Sequence, residues 1–366
     1  METIDVAIIG GGVAGLSTAC VTAERGYSTC VLERHPRDGQ GASTHNSGII
    51  HAGIYYPADS LKARLCLEGR DRLFSFCSRH DIAHARCGKL IVAREPKELP
   101  RLEALAARGR ANGVDDLEVV DRKFLRRHEP HVEGIAAIWS PSSGIIEAEA
   151  LVRTLARLAT AREVAMLRNT HVEGGVDLST GIELRTARET FVARAVVNAA
   201  GVHADDVSAS LGGEAFAIYP VRGEYAELAP AACALVNGPV YPLPDASGHG
   251  LGVHLTRTTR GTVTLGPTAR YQTDKEDYER NRLPLDVFYD AARSLVPKLQ
   301  RSDLRAGGTG IRARGAPATE TFVDFRIERD RRLPRLIQVA GIDSPGLTAS
   351  LAIGRMAAAL VGETLS

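Results

Sequence analysis

The stretch from Asp5 to Glu33 limits what this chain can fold into more than any other. Asp5 to Ile9 (DVAII) is a short run rich in β-branched residues, the kind that forms a strand buried on both faces of a parallel sheet. Glycines end it. Gly10, Gly12 and Gly15 stand as G-x-G-x-x-G, and Val13 to Glu24 predicts a helix whose small residues face the sheet. In such a unit Gly10 allows the tight turn, Gly12 lets a pyrophosphate reach the backbone, and Gly15 lets helix and strand touch. The helix start, at Val13 and Ala14, then faces the phosphate charge. Ser28 to Leu32 predicts a second strand, and Glu33 at its end can accept both ribose hydroxyls of an adenosine. Glu33, next to Arg34, would crowd a 2′-phosphate with negative charge, which disfavours NADP. The unit does not separate NAD from FAD.

With 366 residues, 44% hydrophobic and 24% charged, the chain is long enough for two or three globular domains and too apolar for general disorder. A formal charge of +1 lacks the basic excess of a nucleic-acid binder, so a small molecule is the expected partner. Six cysteines with no C-x-x-C spacing suggest free thiols in a reducing compartment, with neither a disulfide framework nor a zinc site. His128 and His131 are separated by Pro130, so no metal site is expected. The start lacks the positive charge of a secretory signal, and no apolar run reaches membrane-span length. The expectation is a cytoplasmic protein, with contact to the inner face of a membrane left open. The charged run Glu328 to Arg335 reads as a solvated loop or a weak anionic-lipid contact.

Val196 to Gly201 and Leu336 to Gly341 read as buried strands running into glycine turns. Between them, Ile218 to Leu228, Pro239 to Tyr241, Gly252 to Thr256 and Thr262 to Gly266 alternate apolar and polar residues, as in an antiparallel sheet with one wet face. Leu99 to Asn112 and Val287 to Leu299 predict helices covering that sheet, and Ala150 to Leu158 a helix of the nucleotide domain. Asp205 and Asp206 are expected to cap a following helix. Ser344, Pro345 and Gly346 open a last helix, with Ser344 as its cap.

Gly41 to Tyr56 (GASTHNSGIIHAGIYY) is too polar and glycine-rich for a core element and needs a ligand to lie against. This segment, with Ser60 to Gly69, GKLIVA, RGEY, LGVHLT, GIRA and SPGLTASLAIG, runs in order along nearly the whole chain. It resembles flavin-dependent oxidoreductases of the D-amino-acid oxidase superfamily, closest to the L-2-hydroxyglutarate dehydrogenase/oxidase branch. The resemblance implies an α/β fold. A Rossmann-like FAD-binding domain (1–83, 145–213, 334–366) would be interleaved with an α+β substrate domain on an antiparallel sheet (84–144, 214–333). FAD would be held by the N-terminal unit together with Thr44, His45, Asn46, Ser47, Gly48, Val172, Ala200, Gly201 and Gly310. The helix start at Ser344, Gly346, Leu347 and Thr348 would face the flavin's pyrimidine side.

The implied reaction is oxidation of an L-2-hydroxy dicarboxylate or related acid, with oxygen or a quinone as electron acceptor. His51 would be the base, or merely a hydrogen-bonding group. Arg312 would clamp the α-carboxylate. His254 faces either the pocket or the core. Tyr55 and Tyr56 either donate to substrate or pack. A second carboxylate needs a second cation, and Lys89 or Arg222 could supply it unless each is paired internally. Val221 and Ala226, smaller than the aromatic residues expected beside RGEY, suggest a larger or differently shaped pocket. An amino-acid or amine oxidase on the same fold, and a binding or assembly protein with structural FAD, are the alternatives.

Overall fold

The computed structural model describes residues 3–244 and 252–366. An eight-stranded sheet is built on the first βα unit. Strand Thr3–Ile9 lies between Thr29–Glu33 and Thr190–Asn198, parallel to both. Ala165–Arg168 adds parallel to the first of these and Leu336–Ala340 to the second. The parallel strands are almost wholly apolar because both faces are covered, as their β-branched composition demands. An antiparallel pair, Val172–Leu178 and Gly181–Thr186, extends one side.

Helix Val13–Glu24 begins where the glycine spacing predicts, and glycines let it approach its neighbours. A Cβ at Gly15 would stand 2.0 Å from the Gly10 carbonyl oxygen, and one at Gly354 2.6 Å from Ser17. The C-terminal helix Gly346–Leu365 therefore packs directly on helix Val13–Glu24. Helix Leu61–Arg79 lies against the C-terminal helix as well. Ser60 starts it by accepting the Ala63 N–H at 3.1 Å, while Asp324 accepts those of Leu61 and Lys62.

A nine-stranded sheet forms the second layer, with the long pair Tyr219–Leu228 and Leu304–Arg314 at one end and the latter at its edge. It is antiparallel as expected except where Val240–Pro242 runs parallel to Lys89–Ala93. Those strands come from separate excursions of the chain, so no hairpin dictates their relative direction. A short three-stranded sheet, of Ile49–Ile50, His84–Ala85 and Gly144–Ile146, completes the strand pairings.

Several expectations need correction. Arg326–Arg329 pairs with Leu336–Ala340, and Phe325 and Ile327 enter the first core, so these residues go with the first sheet and not, as a boundary at 333/334 implies, with the second. The helix expected over 287–299 spans Leu285–Arg293. Pro297 would clash with the Arg293 carbonyl, and Leu295, Val296 and Leu299 are buried in turns instead. Asp205 and Asp206 sit inside the first turn of helix Ala204–Ser210 and pair with Lys275. Pro345, not Ser344, caps the last helix. Asp330, within the charged run, is buried and bonded to Gln338.

Candidate active site

A cavity of about 560 Å³ lies between the two large sheets. One end is the first βα unit. Gly12 caps helix Val13–Glu24, the Ser43 hydroxyl accepts the Val13 N–H at 3.0 Å, and Glu33 accepts the N–H groups of Gly11 and His35 at 2.8 Å each. Each carboxylate oxygen keeps a second lone pair for a ligand. Gly201 has φ +60 and open space where a Cβ would stand.

The opposite end gathers side chains from four separate parts of the chain. His51 follows the short strand Ile49–Ile50, and its N–H donates to the Thr348 hydroxyl at 3.0 Å. Thr348 in turn donates to the Ile49 carbonyl, so the last helix holds the His51 backbone in place. Ring atom Nε2 lies 3.3 Å from Ser344 Oγ, and Nδ1 is buried without a partner among the described residues. Burial, then the charges of Lys89, His254 and Arg312, hold the His51 pKa well below that of a free histidine, so the ring is neutral.

His254 stacks on Tyr241 with ring centres 3.8 Å apart. Its Nδ1 is 3.2 Å from the Gly252 carbonyl oxygen, which can only accept, so Nδ1 carries the hydrogen. Burial above all pushes its pKa down to about 3. Nε2 is therefore a bare lone pair, buried and unpartnered among the described residues. Arg312, on the long strand Leu304–Arg314 opposite Val221, also lines this end, and no described carboxylate lies within ion-pairing distance of it. The result is one free guanidinium beside two neutral imidazoles.

Residues 5–360 match the family described as FAD dependent oxidoreductase. The chain belongs to that family. The mitochondrial L-2-hydroxyglutarate dehydrogenase of Nematostella vectensis is 33% identical to it, over 99% of this chain and 91% of the relative. The L-2-hydroxyglutarate dehydrogenase of Escherichia coli strain K12 is 32% identical over 96% and 91%. A solved structure of L-alpha-glycerophosphate oxidase from Mycoplasma pneumoniae, with FAD bound, superposes at a TM-score of 0.91 and 28% identity, covering 99% of this chain and 95% of that one.

The cavity of this FAD-dependent oxidoreductase fits its family's cofactor. It joins an adenosine-type end, with helix start and ribose-ready acid, to an end with two buried ring nitrogens that need a partner. Among the residues named from sequence, the cavity wall includes Gly10, Gly12, Val13, Ala14, Glu33, Arg34, His45, Asn46 and Ser47. It also includes His51, Val172, Ala200, Gly201, His254, Gly310, Arg312, Ser344, Gly346 and Leu347.

Other named residues stand off the wall. Gly15, Gly48 and Thr348 serve packing and backbone support, and Thr44 bonds the Gly39 carbonyl. Tyr55, Tyr56 and Lys89 lie behind the lining, and burial pushes both phenols above their ordinary range.

Arg222 is answered by carboxylates within this oxidoreductase. It is fully buried and its Nη2 lies 3.1 Å from Glu224, with Asp277 at 3.2 Å from Nη1, and the carbonyls of Asp277, Arg280 and Asn281 take its other hydrogens. Val221 and Ala226 are both buried and stand off the cavity wall. Sequence reasoning missed Ser43, Tyr225, Tyr241 and Tyr278 on the wall. Tyr225 lay within RGEY and Tyr241 in an alternating strand, whereas Tyr278 sits in a loop that has no local signal.

Proposed function

We propose that this oxidoreductase converts an L-2-hydroxy acid, L-2-hydroxyglutarate in the first instance, to the corresponding 2-oxo acid. FAD, when bound, supplies the acceptor for the hydride of the α-carbon. Arg312 carries the reading: a guanidinium without an acidic partner among the described residues, on a ligand-sized cavity, is ready for a carboxylate through two parallel hydrogen bonds. That contact orients the α-carbon as well as binding it.

The hydroxyl proton goes to a neutral imidazole, and we assign it to His51. Ser344 Oγ beside its Nε2 can accept and pass on a proton, whereas the Gly252 carbonyl beside His254 cannot. The lone pair of His254 Nε2 supports a second reading, because an amine, with more N–H groups than a hydroxyl has O–H, would engage both rings. Relatives named as L-2-hydroxyglutarate dehydrogenases support the hydroxy acid instead.

The chain is proposed to divide into a FAD-binding unit of 1–83, 145–213 and about 325–366, and a substrate unit of the remainder, following the sheet to which each strand belongs. Oxygen or a quinone is the proposed acceptor. No helix among the described residues is long and apolar enough to cross a membrane.

Anaerobic mixing of the FAD-loaded protein with L-2-hydroxyglutarate, its D-enantiomer and L-glutamate tests the assignment. Bleaching of the flavin by the L-hydroxy acid alone is expected. Bleaching by L-glutamate alone would replace the reading with the amine one. Reoxidation rates with oxygen and with a soluble quinone then identify the acceptor.

A further inference from the structure

Lys89 opens the strand Lys89–Ala93 and is 1% exposed. No carboxylate among the described residues answers its ammonium, and its described polar neighbour is the Tyr55 hydroxyl, 3.4 Å from Nζ. Nζ lies 4.7 Å from the ring centres of both Tyr55 and Tyr241. His254 covers one face of Tyr241, so the ammonium uses the other face and stands one aromatic layer behind the cavity wall. Two cation–π contacts offset part of the desolvation of a buried ammonium, but they supply no countercharge. Arg222, the other cation available for a second carboxylate, is neutralised by Glu224 and Asp277.

We propose that Lys89 selects a doubly negative substrate: its charge, unanswered among the described residues, is answered by the second carboxylate of the acid whose α-carboxylate Arg312 holds. The proposal rests on reading the site as that of a 2-hydroxy acid oxidoreductase. Lys89 acts through the Tyr241 and Tyr55 rings without touching substrate, and is a positioning residue in that sense.

The surroundings make the charge readable by pH. Burial brings the Lys89 pKa down to about 7, opposed by the nearby Cys66 thiol of helix Leu61–Arg79. The groups facing it titrate elsewhere. Burial pushes Cys66 up to about 12 and raises Tyr55 and Tyr241, while His254 sits at about 3 and His51 well below the histidine range. Arg312 is the other cation at this end of the cavity. The ammonium is present below about pH 7 and lost above it, so preference for a dicarboxylate falls as pH rises. Glu129 also titrates near 7, but it binds the N–H groups of Asn237 and Gly238 in a separate small cavity lined by Gly88 and Leu90, the neighbours of Lys89 that point to the strand's other face.

The test compares FAD-loaded wild type, Lys89→Met and Lys89→Arg in anaerobic flavin reduction by L-2-hydroxyglutarate and by the monocarboxylate L-2-hydroxypentanoate, from pH 6 to 8.5. Lys89→Met is expected to lower the dicarboxylate preference about tenfold or more through KM, to spare the monocarboxylate, and to abolish the pH dependence near 7. Lys89→Arg is expected to keep the preference through pH 8.5. Equal losses for both acids, or an unchanged preference and profile in Lys89→Met, would overturn the assignment while leaving the activity reading intact. A wild type reduced by neither acid overturns that reading and this proposal together. Should Lys89→Met fail to fold, the wild-type profile decides, because a preference that stays flat across the range refutes the proposal.

Discussion

Glu224→Gln separates a clamp from a substrate contact. Arg222 and Glu224 are both fully buried, and Glu224 also accepts the Leu283 N–H at 2.8 Å. Between them they pin the loop of residues 272–283, since Arg222 holds the carbonyls of Asp277, Arg280 and Asn281. Removing one charge from a buried pair costs about 3–5 kcal/mol because the other is left uncompensated. Arg222 keeps Asp277 at 3.2 Å and glutamine keeps an acceptor oxygen, so the low end is expected, about 3 kcal/mol. An unfolding entropy of ~2.1 cal/mol/K per residue amounts to roughly 0.8 kcal/mol/K for 366 residues, and Tm should fall by about 4 °C. The pinned loop carries Tyr278, on the cavity wall, and Glu276, paired with Arg34 and His203, so FAD should also leave faster. Circular dichroism follows unfolding and flavin fluorescence follows release, while KM for L-2-hydroxyglutarate at saturating FAD should not change. A tenfold rise in KM with Tm unmoved would refute the clamp and restore Arg222 as a substrate contact.

Arg312→Met should lower kcat/KM for the 2-hydroxy acid about a hundredfold or more, since two charge-assisted hydrogen bonds go at once, with FAD content unchanged by absorbance. The pH profile of kcat/KM should show no loss of activity on acidification near 6.5. His51 must be neutral to accept the proton, and its lowered pKa keeps it so well into the acid range. A drop at the ordinary histidine pKa in steady-state rates would mean that His51 is not the base in this environment. Burial raises the Glu129 pKa from 4.5 to about 7, so its contribution to stability is fully present below pH 4.5 and is lost as pH rises through about 7. Glu129→Gln should remove that dependence, of order 3 kcal/mol, and flatten the Tm profile measured between pH 4.5 and 8.

Local chemistry accounts for what was legible in the chain. Helix Val13–Glu24 begins and ends where glycine spacing and apolar pattern place it, because the turn, the close packing and the phosphate-facing start are all encoded within a few neighbouring residues. Helix Leu61–Arg79 was legible too, through Ser60 as its cap and Leu65, Cys66, Gly69, Leu73 and Cys77 on its buried face, but its sequence served only as a family word. Lys89 and Arg222 looked alike in sequence, as cations on apolar strands. Only the folded chain brings Glu224 and Asp277 to one and leaves the other against two aromatic rings.

The sequence by itself determined the nucleotide end of the cavity and the class of cofactor, since a glycine turn, a helix start and an acid at a strand end lie within one contiguous unit. Tertiary structure alone decided the state of the polar groups at the other end. Whether His51 is neutral, which nitrogen of His254 is bare and which cation is unpaired depend on burial and on partners distant in the chain, and electrostatics in a dry interior is set by those neighbours rather than by residue type.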